Sequence, residues 1–163
     1  MPLPTPVMIL LMDDEPSFPR ALALVLRRNG DTVDTAEHGS QALASLQRQR
    51  SDLVLCDLRM PALDGRAFYG RLLRQHPHLR TRLMFLTGET FSPDLQAFVA
   101  HSGQPCLYQP CPAAAVRTAM QQRLALVSPS SLRACPAHHQ RGSHTSVSSG
   151  VTKRSEAFLL HLL

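Results

Sequence analysis

Residues 52–58 read DLVLCDL: an acid, a run of apolar residues from Leu53 to Cys56, then Asp57 and Leu58. A near-continuous apolar run of this length fits a central strand of a parallel sheet, which helices cover on both faces. Working outward, Val7–Met12 (VMILLM) and Leu83–Leu86 (LMFL) have the same character, and Thr32–Ala36 and Cys106–Tyr108 read as short strands. Helical periodicity fills the intervals. Phe18, Leu22, Val25 and Leu26 share one face that stops at Asn29-Gly30; Leu43 and Leu46 follow Gly39-Ser40; Phe68, Leu72 and Leu73 follow Gly65. Leu95, Phe98 and Val99 follow the helix-opening pair Ser92-Pro93, and Val116, Ala119, Met120 and Leu124 follow Pro112. Five β/α units in alternation predict an α/β fold, a doubly wound five-stranded parallel sheet with helices on both faces.

The bulk numbers bound the rest. A chain of 163 residues supports one core of ordinary size. Nothing in it approaches the roughly 20 apolar residues that span a bilayer. Val7–Met12 has no basic segment before it and runs into Asp13, Asp14 and Glu15, which suits a strand entering an acidic site better than a secretion signal. A cytoplasmic protein with no membrane partner is expected. Residues 1–127 hold 13 arginines against 11 acids, whereas 128–163 hold four basic residues and one acid, so the net charge of +5 owes much to the tail. No nucleic-acid face is expected on the domain. Cys56, Cys106, Cys111 and Cys135 lack the paired spacing of a zinc ribbon, and Cys135 with His138 and His139 lies in a segment without periodicity. Three regions follow: a lead at 1–6, a folded domain at 7–127, and a Ser/His-rich basic tail at 128–163 that reads as disordered. Its end, AFLLHLL, is too short to stand alone as a stable helix.

In a doubly wound sheet, ligands bind beyond the carboxyl ends of the strands. Those ends carry Asp13-Asp14 after the first strand and Asp57 after the third. Thr87-Gly88 follows the fourth and Gln109-Pro110 the fifth. Three carboxylates gathered in one crevice repel one another and call for a cation, and all-oxygen ligation suits Mg²⁺. One of the carboxylates can then attack phosphorus to give an acyl phosphate.

The motifs ILLMDDEP, DLVLCDLRMPALDG, MFLTG and LYQP occur in that order, each ending a predicted strand. Together they resemble the response-regulator receiver family of two-component signalling, over nearly the whole of residues 7–126. The resemblance implies a flavodoxin-like strand order, 2-1-3-4-5, and a phosphorelay role with Asp57 as phosphoacceptor. It implies that Asp13 and Asp14, with Asp57 and the Arg59 backbone carbonyl, hold Mg²⁺, and that the Thr87 hydroxyl bonds a phosphoryl oxygen on switching. By the same resemblance Arg59 and Glu89 overlook the path of the hydrolytic water and tune dephosphorylation. Pro61 and Asp64-Gly65 shape the loop after the phosphoacceptor. The implied partners are a histidine kinase or phosphotransfer protein, a downstream protein, and a second copy through the face formed by helix 4, strand 5 and helix 5. The stretches FLTGETFSP and AFVAHSGQPCLYQP look like receivers attached to hybrid histidine kinases.

Two positions depart from that family. Gln109 stands where a lysine is usual, and Lys153 in the tail is the chain's only lysine, so the folded domain has none to replace it. Glutamine keeps two N–H donors without the charge. Cys106 occupies the place of the aromatic that swings inward on activation, and it reads, like Cys111, as a small core residue. These departures keep open a degenerate receiver that binds partners without depending on phosphate. A haloacid-dehalogenase-like phosphatase needs a second aspartate two residues after the nucleophile, where this chain has Arg59. A P-loop NTPase is excluded, for no glycine-rich loop ends in Lys-Ser/Thr. Residues 128–163 show no helix-turn-helix, so output is expected through protein contact, and no enzyme activity beyond self-catalysed phosphoryl transfer and autodephosphorylation.

Overall fold

The computed structural model describes residues 6–15, 17–58, 65–88 and 92–126. Five strands, β1 (Met8–Met12), β2 (Thr32–Ala36), β3 (Leu53–Asp57), β4 (Leu83–Thr87) and β5 (Cys106–Tyr108), alternate with five helices. These are α1 (Ser17–Arg28), α2 (Gly39–Arg48), α3 (Gly65–Gln75), α4 (Pro93–Ser102) and α5 (Ala113–Ala125). Every pairing is parallel and the order is β2-β1-β3-β4-β5, the arrangement expected for a flavodoxin-like sheet. No helix among the described residues is long and apolar enough to cross a membrane.

Strand β3 is buried at all five positions, and so is β4. Their side chains alternate between two cores because successive residues of a strand point to opposite faces. Leu53, Leu55, Met84 and Leu86 join Ile9 and Leu11 beneath α1 and α5, with Phe18, Leu22, Leu26, Val116 and Met120. Val54, Cys56, Leu83 and Phe85 join Leu10 and Met12 beneath α2 and α3, with Leu43, Leu46, Phe68 and Leu72. Each such Leu or Phe withdrawn from water contributes roughly 1.5–3 kcal/mol.

Helix ends follow the local signals. Asn29-Gly30 stops α1, and Gly30 takes φ +94°, a conformation glycine adopts without a Cβ clash. The Ser92 side chain accepts from the Leu95 backbone N–H, and Pro93 stands in the first turn of α4. The cap of α2 is His38 rather than Gly39-Ser40; its ring Nδ1 accepts from the Gln41 backbone N–H at 3.2 Å.

Three details differ from the periodicity. A 3₁₀ helix at Pro77–Arg82 lies between α3 and β4, where six residues carry too little pattern to announce it. Helix α4 buries none of its residues fully; Leu95, Phe98 and Val99 rest half-buried against the α2/α3 core. Val25, Leu73, Ala119 and Leu124 are also only partly buried. Residues 1–5 of the lead, Val127 at the end of the expected domain, and the tail at 128–163, including Cys135, His138, His139 and Lys153, lie outside the described residues.

Candidate functional site

Parallel pairing places the ends of β1 and β3 side by side. Met12 pairs with Cys56, so the next residues, Asp13 and Asp57, stand side by side at the carboxyl edge of the sheet. Strand β4 continues the row through Asp57 paired with Leu86, and β5 through Thr87 paired with Tyr108. The crevice is thus assembled by register: one acid pair follows β1, one acid ends β3, a hydroxyl ends β4 and an amide follows β5.

Carboxylate oxygens of Asp13, Asp14 and Asp57 all lie within 4.8 Å of one another. Asp13 is 3% exposed and Asp57 7%, while Asp14 faces solvent. Burial pushes the Asp13 carboxyl up to about 7, and the neighbouring Asp57 and Asp14 carboxylates add to the rise. The Glu15 backbone N–H, 2.8 Å from Asp13 Oδ1, and the Gln109 side chain act the other way. This is the response of acids crowded into low dielectric.

The Thr87 hydroxyl is fully buried and has no hydrogen-bond partner among the described residues. Gln109 is tied to β4 through its backbone N–H, which donates to the Thr87 carbonyl at 2.6 Å. Its Nε2 is buried with no well-formed hydrogen bond, and a Cβ built on Gly88 would lie 3.4 Å from its Oε1. The peptide bond between Gln109 and Pro110 is cis. The site therefore holds two polar side-chain groups, both shut off from water, beside a cluster of acids.

Cys106 is half-buried rather than a full core residue. Its thiol is raised to about 11 by burial and then by the Asp57 carboxylate, which puts it within electrostatic reach of the site. Cys111 is buried, as expected of a small core residue. Tyr108 shares a strand face with Cys106 yet is 59% exposed.

One contact was not legible in the sequence. A Cβ on Gly65 would stand 2.9 Å from the Asp57 carbonyl oxygen and 2.9 Å from Leu58 Cα. Helix α3 thus starts directly against the backbone that carries Asp57, and only glycine allows that approach. The sequence offered Asp64-Gly65 as a turn signal but not what the glycine touches. Arg59, Pro61, Asp64 and Glu89 lie outside the described residues, and with them the expected carbonyl ligand and the dephosphorylation-tuning pair.

Residues 9–121 match the family described as response regulator receiver domain. Among curated relatives, the transcriptional regulatory protein GlrR of Escherichia coli (strain K12) is 36% identical over 92 residues, 56% of this chain and 20% of that protein. The match thus spans about a fifth of that relative's length. Among solved structures, the chemotaxis protein CheY4 of Vibrio cholerae superposes with a TM-score of 0.65 at 28% identity, covering 72% of this chain and 98% of the other. The signal receiver domain of a signal transduction histidine kinase from Syntrophus aciditrophicus gives 0.64 at 26% identity, covering 76% and 93%.

Proposed function

Because the chain belongs to the response regulator receiver domain family, we propose that it is a phosphoacceptor module of a two-component phosphorelay, phosphorylated on Asp57. The observation that carries this reading is the set of three carboxylates within 4.8 Å at the carboxyl ends of β1 and β3. A donor set made only of oxygens, with one acid already held up to about 7 by burial and its neighbours, fits Mg²⁺. Asp13, Asp14 and Asp57 would hold the ion, with the Arg59 carbonyl as a further ligand. When bound, it neutralises the acids and the incoming phosphoryl oxygens.

The chain's own residues then do the following. An Asp57 carboxylate oxygen attacks phosphorus of a phosphohistidine donor; the O–P bond forms as the P–N bond breaks, and the imidazole leaves. The donor is a histidine kinase or phosphotransfer protein that shares the cytoplasm with this chain. The buried Thr87 hydroxyl donates to a phosphoryl oxygen, gaining the partner it lacks. Gln109 offers its Nε2 to another, without charge. A lysine ammonium about 4 Å from that oxygen would add up to ~4 kcal/mol at an effective dielectric near 20. Phosphorylation therefore proceeds while its coupling to a change of shape is weaker than with lysine. The signal leaves by protein contact, through the exposed Tyr108 and the half-buried α4, on the face where a second copy would also dock.

A second reading is favoured by Gln109 and the half-buried Cys106: a receiver that binds partners without depending on phosphate. Treating the protein with Mg²⁺ and a small phosphodonor, then weighing it intact, separates the two. The first reading requires one added phosphoryl group, lost in Asp57→Asn. No adduct, or one that survives Asp57→Asn, sinks it. A haloacid-dehalogenase-like phosphatase would instead turn over added phosphate monoester, which a colorimetric phosphate assay detects.

A further inference from the structure

The opposite end of the sheet carries a second polar assembly that phosphoryl transfer does not use. An open cleft of about 460 Å³ lies where α2 ends, β3 begins and the 3₁₀ helix leads into β4. Volumes of this order are typical of small-molecule sites. Arg48, Arg50 and Arg82 line it together with His76, His78 and Ser51, and no acid lines it among the described residues.

Asp52 lies beside two of these arginines. Its Oδ1 stands 3.8 Å from both the Arg50 and the Arg82 guanidinium, and its Oδ2 accepts from the Met8 backbone N–H at 3.0 Å. Arg48, Arg50 and Arg82 thus give the lining a basic character, with no acid among its described residues. The imidazole of His78 reports this: burial lowers its pKa, and so do His76, Arg82 and Arg50.

Charge alone would describe a solvated basic edge, but two lining groups are not solvated. Ser51 is 2% exposed, and its Oγ has no hydrogen-bond partner among the described residues. The Nε2 of His76 is likewise buried without one. Buried polar atoms are normally paired, so two orphans lining one cationic cleft indicate a missing partner. Leu46 and Leu79 give the same cleft apolar surface.

We propose that this cleft binds a small phosphate-bearing molecule of up to nucleotide size, with Arg48, Arg50 and Arg82 facing the phosphate and Ser51 and His76 completing its hydrogen bonds. Planar guanidinium groups match phosphate oxygens in pairs, and the leucines accept the less polar remainder. The ligand is anionic, as is the phosphoryl group of the Asp57 site, but the two sites lie at opposite ends of the strands. The proposal therefore stands or falls separately from Asp57.

The test is calorimetric titration of the whole chain, in low-salt buffer stripped of metal by chelating resin, with inorganic pyrophosphate, AMP and adenosine. Pyrophosphate reads recognition by charge, AMP adds a base, and adenosine lacks phosphate. Saturable one-to-one binding of AMP or pyrophosphate with Kd below about 1 mM, and none of adenosine, is expected. Replacing the two accessible arginines, in R48Q/R50Q, should weaken it by about tenfold or more. Ser51→Ala, which leaves the charge untouched, should weaken it severalfold. The far-ultraviolet circular dichroism spectrum and the cooperative thermal melt should match wild type in both variants, which reports that they fold independently of any chemistry at Asp57. Absence of binding, non-saturable binding, or equal affinity in wild type and both variants would overturn the proposal.

Discussion

Replacing Asp13 with asparagine should stabilise the metal-free protein at pH 8, although it removes a residue of the proposed metal site. Asp13 is raised from 3.8 to about 7, with burial the largest cause and Asp57 and Asp14 adding to it. A folded-state pKa above the unfolded one means the native state favours the protonated acid. That stability is fully present below about pH 4 and is lost as pH rises through 7. A gap of about three units corresponds to about 4 kcal/mol at full ionisation. The asparagine side chain would keep the acceptor for the Glu15 N–H, now 2.8 Å away, but it would bury a new NH₂ group. Solvent also reaches the crevice beside exposed Asp14, which screens part of the repulsion. A net gain of roughly 1–3 kcal/mol remains after the cost of the amide, or about 5–15 °C in melting temperature for a domain of this size. The assay is thermal melting by circular dichroism in metal-free buffer at pH 4, 6 and 8, repeated at pH 8 with millimolar Mg²⁺. The D13N variant should melt above wild type at pH 8 and lose that advantage by pH 4. Added Mg²⁺ should raise wild type and leave the variant nearly unmoved, because an ion held only by the native state stabilises it. If the variant melts at or below wild type at pH 8, or both respond equally to Mg²⁺, the picture of crowded acids awaiting a cation is wrong.

Three further perturbations probe the rest of the site. Gln109→Lys should enlarge the phosphate-dependent change in partner binding or spectrum more than it speeds phosphorylation, because the added charge acts on the phosphorylated state; identical responses in the two proteins would refute the weak-coupling idea. Gly65→Ala should cost about 1–3 kcal/mol in denaturant unfolding and slow phosphorylation, since its Cβ would stand 2.9 Å from the Asp57 carbonyl and Leu58 Cα; wild-type stability would mean the helix can step back without cost. If Arg59 and Glu89 meet across the mouth of the site as one lid, Arg59→Ala and Glu89→Ala should each speed loss of the phosphoryl group, with the double variant adding little. Followed by the decay of the phosphorylated mass, full additivity or no effect would leave them as ordinary surface charges.

Apolar patterning determined most of the architecture. The runs at 53–56 and 83–86 could be stable only with helices on both faces, and the alternation of strand and helical periods left a doubly wound parallel sheet as the consistent solution. The polar residues of the site were legible for a related reason: the acids Asp13, Asp14 and Asp57 and the hydroxyl of Thr87 each come at the end of an apolar run, where the chain reaches the crevice. Elements with weak patterns were harder to read. Helix α4 buries no residue fully, so its apolar residues announced a helix without fixing how deeply they sit. Tertiary structure alone decided the distances. Whether the acids come within 4.8 Å depends on β1 pairing with β3, which is a matter of strand order and register rather than of either strand's composition. The close approach of Gly65 to Asp57 likewise depends on where α3 docks. The cleft of Arg48, Arg50, Ser51, His76, His78 and Arg82 was the least visible feature. Its residues come from two separate segments, 46–51 and 76–82, and polar side chains carry no periodicity to reveal that folding will bring them together.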